Sequence, residues 1–522
     1  MNQHLFLTGF MGAGKTTVGR ILAGLVGRRF VDLDQVLARR LGMPIARFFA
    51  TEGEPAFRRA ESAELRRLLR RRRLVVATGG GLPQDEQNRR LMEQSGRIVF
   101  LDTDLDRCIS HLEGQGREER PLWGDRAGLE KLFQERQAAY AQCHLRLATG
   151  DQTPEQLAEA VAAWLLGEER HELELEGRTS PLISTFSAPR ALAGLVGSRR
   201  VALLCDRNLA RLHRPRYLEA LGEPVLITLP AGERVKSLRG AERVYRALLE
   251  ARLERGDLLV ALGGGVITDL GAWVGATYKR GMDFILVATS LLGCVDAAVG
   301  GKAAVNLGPA KNSVGCFTRP EAVIQDIRAL ATLARRHRAE GLVEAYKTGL
   351  VADPGLARLV EEQMKVLLAG DLPGLAQVAR RGARAKARVV EQDFREGGLR
   401  RILNLGHTYG HAVEGHSRYR VSHGRAVALG IMVAAAISQQ RGLLEPAGAD
   451  AIMRCMRPLV PAREHWPGVE QAWAIMQHDK KNQGGRVVFV LLEEPGRARW
   501  VDDVSPAELE AALTRVAEAC PA

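Results

Sequence analysis

Short apolar runs recur at residues 4–8, 74–78 and 97–101, with helically spaced apolar positions between them. Buried strands alternating with helices predict αβα layering over this stretch. Residues 154–167 have the spacing of a helix that closes the region. The polar stretch Glu168 to Arg178 follows, and within it Leu173 and Leu175 alternate with acids as an edge strand would. Strand-like runs resume at 201–205, 225–229, 258–262 and 284–288. Beyond about residue 328 the period-two signal nearly vanishes. Helical spacing then holds to the end, apart from Val487 to Leu492. The pattern predicts three regions: an α/β region at 1–167, a second α/β region at 168–330, and a helical one at 331–522.

Composition narrows the class. Of 522 residues, 46% are hydrophobic and 26% charged, the balance of a globular chain with large cores. The seven cysteines form no CxxC pair, which argues for a reducing cytoplasm and against a disulfide scaffold or a thiolate zinc site. No apolar run approaches the length of a membrane span, and a strand-like run beginning at His4 stands where a signal peptide would. The net charge of +13 first suggests nucleic acid. However, 63 of the 74 basic residues are arginines, mostly interleaved with acids, and the densest run, Arg70 to Arg73, ends a helical stretch. Anionic small-molecule substrates account for the surplus more simply. Neither a nucleic-acid nor a membrane partner is expected.

Gly9 to Thr17 reads GFMGAGKTT, which satisfies GxxxxGK[ST] between a strand and a helix. Backbone N–H groups of Gly12, Ala13, Gly14 and Thr17 would nest phosphate oxygens at a helix N-terminus. Lys15 would span the β- and γ-phosphates of ATP, and Thr16 would offer its hydroxyl to Mg²⁺. Asp32 and Asp34 alternate at a strand end, in FVDLD, and so share a face; one could hold magnesium through water while the other orients a hydroxyl. Arg58 in GEPAFRRAE, the glycines 79–81, Arg120 before Pro121, and Arg136 complete the candidates.

On these runs, residues 1 to about 167 resemble shikimate kinase: the P-loop, the DxD pair, GExxFRxxE from Gly53 to Glu61, the triple glycine and RPL at 120–122 occur in order. The resemblance implies a P-loop NTPase-type parallel sheet. It also implies that Asp34, Arg58 and Arg136 hold the substrate's hydroxyls and carboxylate, that Gly80 backs the ring, and that a lid arginine, Arg120, covers the transferring phosphoryl group. Gln142 and Cys143 stand where the family usually has Glu and Ala.

A second glycine-rich site lies in LLVALGGGVITDLG at 258–271, where a strand runs into Gly263, Gly264 and Gly265 and then a helix with Asp269. This is a strand–glycine–helix setting for a pyrophosphate. Asp206 ends a strand where it could bind an adenosine ribose, and Glu233 and Lys236 follow the next strand. A polar stretch from Asp296 to Asn312, with Lys302 and Lys311, suggests a lined cleft. Glu344 lies in GLVEAYK. His407 and His411 are four apart on one helical face in NLGHTYGHAVEGH, and His423 follows in VSHG. Histidine and carboxylate ligands from separate helices suit a catalytic zinc with an open position, and the local spacing alone leaves both His407 and His411 as ligand candidates.

Residues of about 170–500 resemble 3-dehydroquinate synthase through GGGVITDL, ATYKRG, VDAAVGGK, AKN, GLVEAYKTGL, GLRRILNLGHTYGHAVE, HGRAVALG and HDKKNQGG. The resemblance implies a Rossmann-like α/β subdomain and a helical metal-binding one. It implies a zinc ion (cobalt also fits) on Glu344, His407 and His423, with His411 near the substrate phosphate. Asp296, Lys302, Asn312, Lys347, Arg280, Lys386, Arg400 and Asn404 match substrate-pocket positions. Asp206, Glu233, Lys236, the glycines 263–265 and Asp269 match NAD⁺ contacts, with Thr289, Ser290, Asp296, Lys302 and Lys311 beside them. Thr268 replaces a usual glycine, TSLLGCVDAA spans 289–298, and NLGPAKN departs from the usual loop. The expected protein is a cytoplasmic bifunctional enzyme of aromatic biosynthesis, using ATP, Mg²⁺, NAD⁺ and zinc, with a homodimer possible through the synthase-like half. The alternative is a specialised sugar-phosphate cyclase fused to a small-molecule kinase.

Overall fold

Two compact units, Met1–Leu166 and Gly167–Ala522, make up the chain. The computed structural model describes residues 3–113, 126–308, 310–477 and 486–520. The first unit is built on β1 (His4–Thr8), β2 (Arg29–Asp32), β3 (Leu74–Ala77), β4 (Gly96–Asp102) and β5 (Leu145–Ala148). All are parallel, in the order β2-β3-β1-β4-β5. Every residue of β1 and β3 is buried, as central parallel strands require, and that is why they stand out as unbroken apolar runs. β2 and β5 are four-residue edge strands with mixed burial. β2 ends at Asp32 in the FVDLD run, but Asp32 caps a helix that starts at Leu33, so Asp34 lies on that helix and not on the strand. β5 is too short for the pattern to announce.

The second unit begins with an antiparallel pair, β6 (Glu169–Leu175) and β7 (Arg178–Thr185). β6 is the expected edge strand, with Leu173 and Leu175 inward and acids outward. Next come β8 (Val201–Asp206), β9 (Val225–Leu229), β10 (Leu258–Gly263), β11 (Asp283–Ala288), a hairpin of β12 (Lys302–Leu307) and β13 (Ala310–Phe317), and β14 (Ala322–Asp326). The main sheet has the order β6-β7-β14-β11-β10-β8-β9, parallel except at β6–β7. The polar stretch 296–312 is therefore regular structure: the end of a π-helical turn, Gly293–Ala297, followed by the β12–β13 hairpin.

The rest is helical except for the hairpin of β15 (Phe489–Glu494) and β16 (Arg497–Val501). Helix His423–Gln440 is buried almost all round and forms the centre of this part. Helix His407–His416 crosses close beside it because glycines remove the side chains between them. A Cβ on Gly430 would stand 1.8 Å from the Gly406 carbonyl oxygen, and one on Gly410 would stand 3.2 Å from that of Ala426. Gly406 also has φ +76°, so it starts the helix in a conformation that favours glycine. Among the described residues, no helix is long and apolar enough to cross a membrane.

Candidate active sites

In the first unit the loop after β1 turns through Gly12 and Gly14, both at positive φ, into helix Lys15–Val26. A Cβ on Gly12 would lie 2.3 Å from the Cys108 carbonyl, so that turn admits no side chain. Lys15 Nζ donates to the carbonyls of Gly9 and Phe10 at 2.9 and 2.8 Å and so arches over the loop. The Thr16 hydroxyl donates to Asp32 Oδ2 at 2.6 Å, which brings the two candidate magnesium-side groups together at the end of β2. Asp32 also caps helix Leu33–Leu41 through Gln35 N–H.

A cavity of about 120 Å³ lies at the same end of the sheet and is lined by Asp34, Phe49, Phe57, Arg58, Glu61, Arg136 and Gly79 to Gly81. The glycines let charged groups lie close against their backbone. A Cβ on Gly81 would meet Arg58 Nη1 at 2.1 Å, and one on Gly80 would meet Arg136 Nη1 at 3.2 Å. The Tyr140 hydroxyl, from the helix that carries Arg136, fixes the Gly80 carbonyl at 2.6 Å. Arg58 is held by Glu61 at 2.9 Å and Glu54 at 3.0 Å. Glu61 is 1% exposed. Burial pushes its carboxyl up, the Arg58 charge opposes this, and the Asp34 charge adds to it, leaving the group at about 7. Glu61 ends the GExxFRxxE run, and only the fold shows that it holds Arg58. Arg120 lies outside the described residues.

In the second unit, β8 and β10 are parallel neighbours with Cys205 opposite Leu262, so Asp206 and Gly263 emerge side by side at the C-terminal sheet edge. Helix Gly265–Thr277 starts there. Gly264 and Gly265 pack against Ser290 and Ala297: a Cβ on either would stand 3.1 or 3.2 Å from those side chains. Thr289 N–H donates to the Gly263 carbonyl at 3.0 Å. Lys236 Nζ pairs with Asp269 and donates to Asn312 Oδ1 at 2.6 Å, while Asn306 donates to Glu233 at 2.8 Å. Arg280 is exposed on a turn where both it and Lys279 have positive φ, and it does not line the large cavity described next.

That cavity, of about 950 Å³, brings together Asp296, Lys302, Lys311, Asn312, Lys347, Lys386, Arg400, Asn404, His407, His411 and His423. Its lysines are matched by acids, most of them from distant segments. Lys386 donates to Asp296 Oδ1 at 2.5 Å, Lys347 to Glu344 Oε2 at 2.5 Å, and Lys302 pairs with Glu396. Burial lowers Lys386, and Asp296 only partly restores it, leaving it at about 8. Arg400 is 2% exposed, with its Nη atoms on the carbonyls of Phe394 and Gly300 and its buried Nε without a partner.

Glu344 sits fully buried on helix Arg335–Ala352. Its Oε1 makes no hydrogen bond, and Nε2 of His423 and of His407 face it at 3.3 and 3.7 Å. One ligand atom from each of the three residues lies within 4.8 Å of the others. Ligands about 2.0–2.2 Å from a tetrahedral ion stand roughly 3.3 Å apart, so the donor set fits a divalent metal. The His407 ring is aimed by its Nδ1 on the Leu405 carbonyl at 3.2 Å, and the His423 ring by its Nδ1 on Glu414 Oε2 at 3.2 Å. Burial lowers His423, but the carboxylates of Glu344 and Glu414 beside it outweigh this and raise the ring to about 10. His411 stands outside this group, its ring edge-on to His407 with centroids 5.6 Å apart. Sequence reasoning misses Glu396 and Glu414: Glu396 lies just before the GLRRILN run, and Glu414 ends GHAVE with no spacing that marks it.

The shikimate kinase family profile matches residues 11–166. Profiles for the N-terminal and C-terminal parts of 3-dehydroquinate synthase match 226–340 and 341–482. A 3-dehydroquinate synthase from Pseudomonas entomophila (strain L48) is 40% identical over 355 residues, 66% of this chain and 96% of its own length. One from Rhodospirillum rubrum is 40% identical over 335 residues, covering 62% and 87%. The solved 2-epi-5-epi-valiolone synthase ValA from Streptomyces hygroscopicus subsp. jinggangensis 5008, with NAD⁺ and Zn²⁺ bound, is 28% identical. It covers 66% of this chain and 98% of its own, with a TM-score of 0.61. The chain thus belongs to the 3-dehydroquinate synthase family and carries in front of that module an N-terminal shikimate-kinase-like unit.

Proposed function

We propose that the chain is a bifunctional enzyme: the first unit phosphorylates the 3-hydroxyl of shikimate with ATP, and the second converts 3-deoxy-D-arabino-heptulosonate 7-phosphate to 3-dehydroquinate with release of phosphate. The observation that carries the reading is the large cavity, where the Glu344, His407 and His423 donors meet four substrate-facing cations, Lys302, Lys347, Lys386 and Arg400. A substrate bearing both a carboxylate and a phosphate needs cations at two places, and a buried guanidinium with a spare Nε suits one of them.

In the kinase unit Asp34 orients the attacking hydroxyl and takes its proton, while Arg58 and Arg136 grip the carboxylate. Lys15 meets the charge of the transferring phosphoryl group, a part the family resemblance also gives to Arg120. Magnesium, on Thr16 and Asp32, supplies further neutralisation when bound. In the synthase unit Glu344, His407 and His423 would hold a divalent ion, and Asp206, Lys236, Asp269 and Gly263 to Gly265 would hold NAD⁺. When bound, the ion would supply Lewis acidity toward neighbouring substrate hydroxyls, and NAD⁺ would supply reversible oxidation with no net change. The protein's own groups do the rest. Lys386 and Arg400 fix the anionic ends, His411 hydrogen-bonds near the departing phosphate, and Lys302 with Asn404 orients the ring oxygens.

The likeness to the valiolone synthase supports a second reading, a cyclase for another sugar phosphate. One experiment separates the two. Purified protein receives heptulosonate phosphate, NAD⁺ and zinc, and the product is identified by mass. Dehydroquinate at a rate well above the metal-free control is expected. No turnover of this substrate, with turnover of a sugar phosphate lacking the carboxylate, overturns the first reading. ADP formation that depends on shikimate tests the kinase half in the same preparation.

A further inference from the structure

Glu414 is 4% exposed on helix His407–His416, and its two oxygens serve different partners. Oε2 faces His423 Nδ1 at 3.2 Å. Oε1 accepts from Lys311 Nζ at 2.9 Å. Lys311 belongs to β13, and its ammonium also lies 4.4 Å from the centroid of the Tyr419 ring. Tyr419 and Arg418 both have positive φ, so the chain accepts two uncommon conformations at this corner. The hairpin is anchored at its other side as well, since Asn312 accepts from Lys236 and Asn306 donates to Glu233. β12 and β13 therefore bridge the metal-donor helices and the glycine-loop side of the sheet.

An imidazole that offers Nε2 to a cation must carry its proton on Nδ1 and needs an acceptor there to fix the ring plane. Glu414 is that acceptor for His423. A carboxylate turns about its side-chain torsions unless its other oxygen is tied, and Lys311 ties it. We propose that Glu414 is a positioning residue for the metal site, and that Lys311 makes metal retention and docking of the β12–β13 hairpin favour each other. The proposal rests on the reading of Glu344, His407 and His423 as ligands. It differs from the expectation that Lys311 contacts the dinucleotide, because its effect is present with no dinucleotide added.

The test uses the full chain without substrate or NAD⁺. Zinc affinity is measured by competition with a chromophoric chelator, ligand geometry by the visible absorption of the cobalt form, and hairpin docking by amide hydrogen exchange of residues 310–317. Glu414→Gln should weaken zinc binding about 10–100-fold and alter the cobalt bands. Lys311→Met should weaken it by less, Lys311→Arg should restore it, and the double variant should be no weaker than Glu414→Gln alone. Zinc should slow exchange in β13 of the native protein but not of Lys311→Met, since coupling between two equilibria is reciprocal. Lys311 is partly exposed, so its substitution leaves packing intact even where Glu414→Gln perturbs folding. Unchanged zinc affinity in Glu414→Gln, additive losses in the double variant, or β13 exchange indifferent to zinc would overturn the proposal. If His423→Ala binds zinc as tightly as the native protein, the ligand assignment itself fails. If His423→Ala loses zinc while Glu414→Gln keeps it, only the positioning role fails.

Discussion

The two cavities handle charge in opposite ways. The smaller one presents arginines already aimed: Arg58 is braced by Glu54 and Glu61 on its own helix, and Arg136 lies against Gly80. The larger one presents lysines that are each occupied, three of them by an acid from a remote segment, Asp296 on Lys386, Glu396 on Lys302 and Glu414 on Lys311, and Lys347 by Glu344 one turn away on its own helix. A braced guanidinium suits a rigid grip on one carboxylate during a single in-line transfer. A network of exchangeable pairs suits a reaction in which a polyanion enters, charge shifts and phosphate leaves, because the freed acids and lysines can change partners without leaving any charge alone.

The sharpest way to break this comparison is to remove a member that belongs to neither pattern of pairing. His407→Ala deletes one of two imidazoles facing Glu344 and leaves a fully buried carboxylate oxygen without the ion that suits it. We expect loss of the divalent ion, read by plasma emission spectrometry after dialysis without ATP or magnesium, and dehydroquinate formation at background. Kinase turnover should stay at the native rate. Retention of about one ion per chain would count against the ligand set. A smaller loss is expected for Lys15→Ala, which removes the ammonium arched over the phosphate loop. Shikimate-dependent ADP production should fall at least ~100-fold while the cyclase is unaffected. More than half the native kinase rate in this variant would rule out the phosphate-loop role.

The same contrast explains what the sequence made legible. The kinase site sits in contiguous runs at strand ends, so its phosphate loop, its aspartates and its triple glycine can be read locally. The long apolar runs of β1, β3, β8, β10 and β11 are legible for the same reason, being buried on both faces. Edge strand β5 and the polar β12–β13 hairpin are not, because half their residues face outward or into a polar cavity, whereas β2 shows only at its FVD end. The histidine pair at 407 and 411 shows the limit of spacing. Four residues apart places both on one face, but the choice of donor is made by His423 and Glu344 arriving from other helices. Partnerships such as Glu396 with Lys302 or Glu414 with His423 join segments that only the fold brings together.

A finer probe asks whether the brace on Arg58 matters through geometry or through charge alone. Arg58→Lys keeps the charge but loses the planar fork that pairs two-pronged with a carboxylate. Shikimate affinity should fall about tenfold, the cost of one charge-assisted hydrogen bond, with ATP affinity unchanged. Isothermal titration with each ligand separates the cases, and equal weakening for both would remove Arg58 from the acceptor site.

The smallest expected effect concerns Glu61, whose carboxyl sits at about 7 against an ordinary value of 4.5. Charged groups face it from three elements: Arg58 on its own helix, Asp34 beyond β2 and Arg136 on the helix Arg126–Tyr140. Because the folded unit holds this proton more tightly than the unfolded chain, folded molecules bind more protons between the two values. Stability must then fall as pH rises from 4.5 to about 7 and level off above. Glu61→Gln keeps a hydrogen-bond acceptor for Arg58 but has nothing to titrate. Calorimetric unfolding of the full chain, read at the transition that shikimate shifts upward, should therefore show the Gln variant gaining on the native protein as pH is raised through that window. A gap between the two that is constant across the window would mean Glu61 is already charged at its lower edge. The brace on Arg58 would then be an ion pair throughout, as the pairs of the larger cavity are.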